Sequence, residues 1–193
     1  DVDRDNVLLW SGPGFHIVHY PLRNNTLFNI VTVFKTQNAQ PTDKDAPHPD
    51  LAHVYRDSHP TMRQLWAMMD LSRSGWISSD RDPIRRWTRG RVTLTGDAAH
   101  PTLQTLAQGA CMAIEDALAL ANAVGDDLDA GFAAYVQARG ARVAWVKNGS
   151  RRIGEVARLA NPVLRWLRDA AFRLTPEAVG RAQLRQVAGP GVA

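Results

Sequence analysis

Apolar, β-branched and aromatic residues near the start of the chain predict β structure over residues 7–34. Two runs, residues 15–20 and 27–34, carry most of them. The segment Arg23-Asn24-Asn25 between the runs is typical of a tight turn, so we expect a hairpin. A stretch rich in Gly and Pro at residues 11–14 is expected to end an earlier strand.

The next amphipathic segment predicts a helix over residues 60–70. Its apolar positions fall on one face, which consists of Met62, Leu65, Trp66 and Met69. Residues 35–50 are polar and contain proline, a composition typical of a surface connection. Residues 76–91 form a mixed segment around Trp87.

A short apolar strand at residues 92–95 ends in Gly-Asp, and a loop then leads to a helix that runs from Gln108-Gly109 to about residue 123. Apolar residues recur along this helix at helical spacing. They are Ala110, Ile114, Ala117, Leu118 and Ala121.

Three further helices are expected in the last third of the chain. The first begins near Asp129 and continues past Trp145, and Gly140 and Gly149 weaken it, so we expect a kink. The second begins at Pro162 and is expected to turn its apolar side chains inward. These side chains are Val163, Trp166, Leu167, Ala170 and Leu174. A short helix is expected after Pro176.

The composition indicates a globular protein of one or two domains. The chain has 193 residues, 45% of them apolar and 22% charged, and no apolar run approaches the roughly 18 residues of a membrane span. The first residues are too polar for a secretory signal. The single cysteine, Cys111, excludes an internal disulfide and favours a cytoplasmic location. We expect its thiol to be small and buried.

The net charge of +4 is concentrated in the second half of the chain, where eleven Lys or Arg residues lie between positions 139 and 185. No motif for nucleic-acid recognition accompanies them, so we expect no nucleic-acid partner. The Arg residues alternate with apolar positions at helical spacing. This pattern favours a solvated helix face.

The strongest chemical signal is the run Thr95-Gly96-Asp97-Ala98-Ala99-His100-Pro101, followed by the helix start at Gln108-Gly109-Ala110. It places a carboxylate at the end of a strand and free backbone N–H groups at the start of a helix. A polyol and an electron-rich ring could bind there together. The alternatives are a capping or ion-paired aspartate and an ordinary helix start.

Three nearby residues have more modest expected roles. His100 is expected to fix the loop through a hydrogen bond, and no second ligand lies at metal-binding spacing from it. Glu115 and Asp116 lie one to two turns into the helix and are expected to be structural.

The run resembles the second flavin-binding motif of the single-component, FAD-dependent aromatic hydroxylases. Residues 107–117, with Gln104 upstream, are most similar to 3-hydroxybenzoate 6-monooxygenases, and salicylate hydroxylases are the next neighbours. Many members carry Pro where Gln104 stands and Gly where Leu106 stands. The resemblance implies an α/β (α+β) fold, the C-terminal part of a para-hydroxybenzoate-hydroxylase-like FAD-binding fold.

The resemblance also implies a division of the chain. Residues 1–90 would be the β-sheet portion that binds substrate, with one covering helix. Residues 91–124 would hold the FAD-binding strand and helix, and residues 125–193 the C-terminal helices. FAD would contact the following residues: Gly96, Asp97, Pro101, Gln108, Gly109, Ala110 and Cys111.

The implied reaction hydroxylates a phenolic acid para to its hydroxyl, with NADH or NADPH and O2, through a flavin hydroperoxide. His16 would be the base near the phenol, Tyr20 a pocket partner and Gln104 a residue opposite them. A neutral His with a pKa near physiological pH suits proton removal. The period of a strand places His16, Val18 and Tyr20 on one face and His19 on the other.

The chain contains no Gly-x-Gly-x-x-Gly segment for the dinucleotide pyrophosphate, because Ile17 stands where Gly12-Pro13-Gly14 would need a third glycine. We therefore expect the C-terminal part of a longer enzyme, in a family whose members often form homodimers. One alternative is a truncated, inactive fragment that binds flavin or a partner. Another is an alkene, quinone or antibiotic hydroxylase of the same fold.

Overall fold

The computed structural model describes residues 2–34, 55–69, 78, 80–82, 84 and 86–189. They belong to two compact units. The first lies within residues 1–77 and 156–170, and the second within residues 78–155 and 171–193. The predicted division into three functional segments stays a prediction.

The first unit contains an antiparallel sheet of three strands in the order β1-β2-β3. The strands are β1 (Leu8–Gly12), β2 (Phe15–Leu22) and β3 (Leu27–Phe34). The predicted hairpin is confirmed, and Arg23, Asn24 and Asn25 all take left-handed backbone angles in its turn. The expected strand break at residues 11–14 is wrong in part, because β1 continues through Gly12. A side chain at Gly12 would lie 2.3 Å from the Phe15 ring.

One face of the sheet packs against helix α1 (Pro60–Ala67). Phe15 and Ile17 from β2 meet Met62 and Leu65 from α1 in a buried cluster. The predicted helix over residues 60–70 is therefore confirmed, although it ends three residues earlier. The last of its expected face residues, Met69, accepts a hydrogen bond from Thr32 through its sulfur.

The second unit begins with a two-residue ladder of β4 (Thr88–Arg89) and β5 (Val92–Thr93). The expected loop after the Gly-Asp pair is wrong at its start, because Gly96–Ala99 form a helical turn, α2. The 3-10 turn Gln104–Leu106 follows, and then helix α3 (Gly109–Ala123) within the predicted bounds.

Helix α4 (Leu128–Ala157) continues without a break through Gly140 and Gly149, and the expected kink within it stays a prediction. Residues of α3 and α4 form the core of the second unit together with Trp87 and Ala99. The contributions of the two helices are Met112, Tyr135, Val143 and Val146. Gly149 lies close to the Leu106 side chain, since a Cβ there would approach Leu106 Cδ1 to 3.0 Å.

The last described elements are helices α5 (Pro162–Leu174) and α6 (Glu177–Ala188). Both begin where Pro162 and Pro176 predicted them. The expectation that the apolar side chains of α5 turn inward is wrong, since Val163, Trp166, Leu167 and Leu174 are exposed. Arg168 is buried instead and donates to the carbonyls of Val156 and Ala157, which lie in the last turn of α4. None of the described helices is both long and apolar enough to cross a membrane.

Candidate cofactor site

Helical turn α2 carries Asp97 and lies directly against helix α3. Gly96 opens the turn with a positive φ of 54°, and a Cβ on it would approach the Ala113 Cβ to 3.2 Å. Both features favour a glycine at this position. The absence of a side chain at Gly96 therefore allows α2 to lie close to α3.

Asp116 of α3 binds both ends of this turn. Its Oδ2 accepts the Gly96 N–H at 2.8 Å and lies 2.6 Å from His100 Nε2. Because an ionised carboxylate only accepts, Nε2 carries the proton and donates it. The expected structural roles of His100 and Asp116 are confirmed.

The carboxylate of Asp116 is completely buried and is balanced by Arg139 of α4, whose Nε donates to Oδ1 at 2.7 Å. Burial opposes ionisation, but the hydrogen bonds from Gly96, Arg139 and His100 outweigh it and hold the pKa of Asp116 below its usual value. The same Arg139 donates to Glu115 at 2.6 Å. The hydrogen bonds from Asp116 to Gly96 and His100, supported by Arg139, therefore hold α2 at a fixed position on α3.

The structure brings Asp97 to the start of α3, twelve residues later in the sequence. Asp97 is exposed, and its Oδ1 lies 4.0 Å from the position that a Cβ of Gly109 would occupy. The first hydrogen bond within α3 runs from Met112 N–H to the Gln108 carbonyl at 2.8 Å, so the preceding amides of the turn point away from the helix. Among the described residues, no side chain bonds to those amides or to Asp97.

The residue before this helix start is held in an uncommon conformation. Ala107 adopts the left-handed region with φ 53° and ψ 30°, and its N–H donates to the Gln104 carbonyl. A non-glycine residue in this region costs about 1–2 kcal/mol. Such strain is often found at functional sites, where the surroundings impose it.

The other residues expected to contact a cofactor differ in their exposure. Pro101, Gln108 and Gly109 are partly buried, and Ala110 is exposed. The Gln108 amide oxygen accepts from Arg142 at 3.4 Å. The expectation of a buried thiol at Cys111 is wrong, because the residue is exposed in the first turn of α3.

Gln104 is exposed, and its side-chain oxygen accepts a hydrogen bond from the Ser78 hydroxyl at 2.7 Å. The amide nitrogen of Gln104 is thereby oriented as a donor. Gln104 belongs to the second unit, whereas His16 and Tyr20 belong to the first. The predicted grouping of these three residues around a substrate stays a prediction.

His16 is buried in β2 opposite Ser11 and Val33. Burial, reinforced by the positive charge of Arg158, lowers its pKa to about 4. The expected pKa near physiological pH is therefore wrong for His16, which is neutral in this range. Tyr20 is partly buried on the same strand, and His19 is buried beside Trp10 and Phe28 at ring distances of 6.3 Å.

Sequence reasoning missed two buried cations in α4. Arg139 and Lys147 were expected on a solvated helix face, but both are buried. The Lys147 ammonium has no hydrogen-bond partner in the structure of the described residues. For Arg139, the adjacent pair Glu115-Asp116 was the available signal, because two neighbouring acids on an apolar helix need a cationic partner.

Comparison with known proteins places this geometry in a family. The family model described as an FAD binding domain matches residues 6–146. The 3-hydroxybenzoate 6-hydroxylase 2 of Aquipseudomonas alcaligenes is 38% identical over 169 residues, which are 86% of this chain and 52% of that protein. The 3-hydroxybenzoate 6-hydroxylase of Klebsiella oxytoca is also 38% identical, over 86% of this chain and 42% of that protein.

Among solved structures, Klebsiella pneumoniae HpxO complexed with FAD and uric acid matches with a TM-score of 0.79 and 25% identity. The match covers 96% of this chain and 49% of HpxO. This chain thus spans about half the length of the curated relatives that it matches. The resemblance to FAD-dependent aromatic hydroxylases is confirmed, and the chain belongs to the FAD-binding domain family.

Proposed function

We propose that this chain is the flavin- and substrate-binding part of a monooxygenase that hydroxylates a phenolic aromatic acid. The substrate would resemble 3-hydroxybenzoate, with hydroxylation para to its hydroxyl, and NADH or NADPH and O2 would be consumed. The observation that carries the proposal is the meeting of Asp97 with the uncapped start of α3, in a chain of the FAD-binding domain family.

The residues at the start of α3 fit a flavin on chemical grounds. Backbone N–H groups and the positive end of a helix dipole stabilise a negative charge, such as that of a reduced isoalloxazine. The exposed carboxylate of Asp97 can accept hydrogen bonds from ribityl hydroxyls. When bound, FAD would carry electrons from NADH or NADPH and supply the oxygen chemistry, while residues of the chain would position the reactants.

Two residues are proposed to act on the substrate. His16 stays neutral above about pH 4 and can accept a hydrogen bond from a phenolic hydroxyl, which makes the ring more electron-rich. Gln104, oriented by Ser78, can donate to an oxygen of the substrate without adding charge. Tyr20 would line the same pocket as His16.

Titration of the purified chain with FAD, followed by flavin fluorescence, tests the cofactor role. Asp97→Ala removes charge-assisted hydrogen bonds worth roughly 1.5–3 kcal/mol, so we expect the Kd for FAD to rise about ten- to hundredfold. Asp126→Ala changes an exposed aspartate in the turn after α3 and is the matched control. Equal Kd values for the two variants would remove Asp97 from the cofactor site.

The role of His16 is tested in a complete enzyme that contains this chain. We expect His16→Ala to bind FAD normally and to oxidise NADH while making less hydroxylated product, because the phenol is no longer activated. His16→Gln, which keeps an acceptor, should restore part of the yield. An unchanged product yield across the pH range would exclude His16 as the activating residue.

A second candidate function is a flavin-binding module without catalysis of its own, because the cofactor site at Asp97 and the uncapped start of α3 lies within one unit of the chain. A yellow complex with FAD that does not oxidise NADH would support this function.

We also infer a cytoplasmic location from the single cysteine. We further infer that the complete enzyme forms a homodimer, which sedimentation analysis would test.

A further inference from the structure

Arg142 of α4 contacts both α3 and α6 within the second unit of the chain. Its Nη1 and Nη2 donate to the carbonyls of Gln186 and Val187 at 3.1 and 2.8 Å. Its Nε and Nη2 donate to Glu115, in the second turn of α3, at 3.3 and 3.1 Å. A further bond of 3.4 Å runs from Nη2 to the side-chain oxygen of Gln108, the residue before α3. The guanidinium of Arg142 therefore connects the end of α6 with the candidate cofactor site.

The surroundings of Arg142 hold its guanidinium in place. Carbonyls in the last turn of a helix lack partners within that helix, and a cation there also interacts favourably with the helix dipole. Arg142 satisfies two such carbonyls at the end of α6, where a Cβ on Gly189 would approach Nη2 to 3.0 Å. The side chain of Arg142 is only 14% exposed, and its guanidinium lies 5.6 Å from the centre of the Trp145 ring. The donor that reaches Gln108 is thus fixed by four shorter hydrogen bonds.

This fixed donor determines the orientation of the Gln108 amide. A guanidinium can only donate, so the side-chain oxygen of Gln108 faces Arg142 and its NH2 group faces away. The Gln108 side chain makes no capping bond to α3, and among the described residues no group accepts from its NH2. The NH2 group is therefore a free donor beside the uncapped amides at the start of α3.

We propose that Arg142 is a positioning residue for the cofactor, which holds the Gln108 amide so that its NH2 group donates to a carbonyl oxygen of the isoalloxazine. The inference rests on the proposed function, in which the flavin lies at the start of α3. A side chain that is ordered before the ligand arrives loses less rotational freedom on binding, so it contributes more to affinity. Arg142 acts through Gln108 and does not itself contact the flavin.

NMR of the ¹⁵N-labelled chain tests the orienting role of Arg142 without any cofactor. The heteronuclear NOE of the Gln108 NH2 group should match that of ordered backbone amides. In Arg142→Gln it should fall to the value of Gln137, an exposed glutamine of α4. The matched control, Arg152→Gln, removes the same charge from an exposed position of α4 and should leave Gln108 ordered. A mobile Gln108 side chain in the unaltered chain would overturn the proposal.

A double-mutant cycle on riboflavin binding tests whether Arg142 acts through Gln108. Loss of one hydrogen bond should raise the Kd for riboflavin about two- to tenfold in Gln108→Leu and in Arg142→Gln. Arg142→Gln should cause no further rise when residue 108 is already leucine. Additive effects would show that Arg142 acts independently and would overturn the proposal. Arg142→Lys keeps the charge without the planar fork, so wild-type affinity in this variant would also overturn it.

A second variant keeps the test decisive if Arg142→Gln does not fold. Gln108→Glu keeps an acceptor for Arg142 but has no NH2 group, so it should retain the melting temperature and raise the Kd for riboflavin about tenfold or more. An unchanged Kd in Gln108→Glu, together with weaker binding in Asp97→Ala, would overturn this inference and leave the flavin site in place. Absence of binding by the unaltered chain would overturn the proposed function, and with it the flavin contact of Gln108.

Discussion

Replacement of Asp116 with asparagine keeps the shape of the side chain but removes the negative charge that joins α2, α3 and α4. The carboxylate accepts from Gly96 at 2.8 Å, from Arg139 at 2.7 Å and from His100 at 2.6 Å. An amide has only one oxygen, so its NH2 group would face at least one of these donors. Arg139 would lose a buried partner but would keep Glu115.

The loss of stability expected for Asp116→Asn follows from this geometry. Loss of one partner from a buried ion pair costs about 3–5 kcal/mol, and we take the lower end because Glu115 remains. Asp116→Asn should therefore lower the free energy of unfolding by about 3 kcal/mol. Glu115→Gln is the matched control, since the Glu115 side chain is partly exposed and a loss of about 1 kcal/mol is expected.

Urea unfolding followed by circular dichroism measures both variants, and hydrogen exchange of a peptide covering residues 96–100 reports the local effect. We expect this peptide to exchange faster in Asp116→Asn than in Glu115→Gln.

The pH dependence of the stability that Asp116 provides has a defined sign. The folded state lowers the pKa of Asp116 below 3.8. The ionised carboxylate therefore stabilises the folded state fully above this pH, and this stabilisation is lost as the pH falls further. The reasoning would be refuted if Asp116→Asn cost no more than Glu115→Gln, or if the difference persisted unchanged in acid.

Two further substitutions have opposite expected signs. Lys147→Met removes a buried ammonium without a hydrogen-bond partner in the described structure and should stabilise the chain by about 1–3 kcal/mol in urea unfolding, unlike the exposed Arg152→Met. Burial lowers the pKa of Lys147, so this gain should shrink as the pH rises towards 10.5, and a loss of stability at neutral pH would contradict the assignment. Gly96→Ala should destabilise by about 1–3 kcal/mol, because it forces a side chain into a positive φ and against Ala113, whereas Gly125→Ala meets nothing within 4 Å. Equal melting temperatures for Gly96→Ala and Gly125→Ala would contradict this prediction, because they would show that turn α2 accommodates a side chain at residue 96 without cost.

Elements with local signals could be predicted from the sequence. The hairpin turn at residues 23–25 and the helix starts at Pro162 and after Pro176 follow from backbone preferences that neighbours hardly alter. The helix start at Gly109 and its proximity to Asp97 could be predicted from the motif.

Features that depend on distant partners could not be predicted. The spacing of apolar residues in α5 shows that one side is apolar, but it does not show what covers that side, so the expected inward direction was wrong. Arg139 lies 23 residues from Asp116, and although the adjacent acids Glu115 and Asp116 indicate a cationic partner, a single sequence does not show which cation it is. The low pKa of His16 likewise arises from burial and from Arg158, which is far away in the chain.

The most direct test of the account is the binding of riboflavin, which carries the isoalloxazine and the ribityl chain without the nucleotide, to the ¹⁵N-labelled chain. NMR titration should shift the backbone amides of Gly109, Ala110 and Cys111 together with that of Asp97, and leave Leu184 in α6 unchanged. In Asp97→Ala the same amides should shift at higher riboflavin concentrations. If saturating riboflavin leaves the amides at the start of α3 unmoved, or shifts only residues elsewhere, the proposed flavin site is wrong.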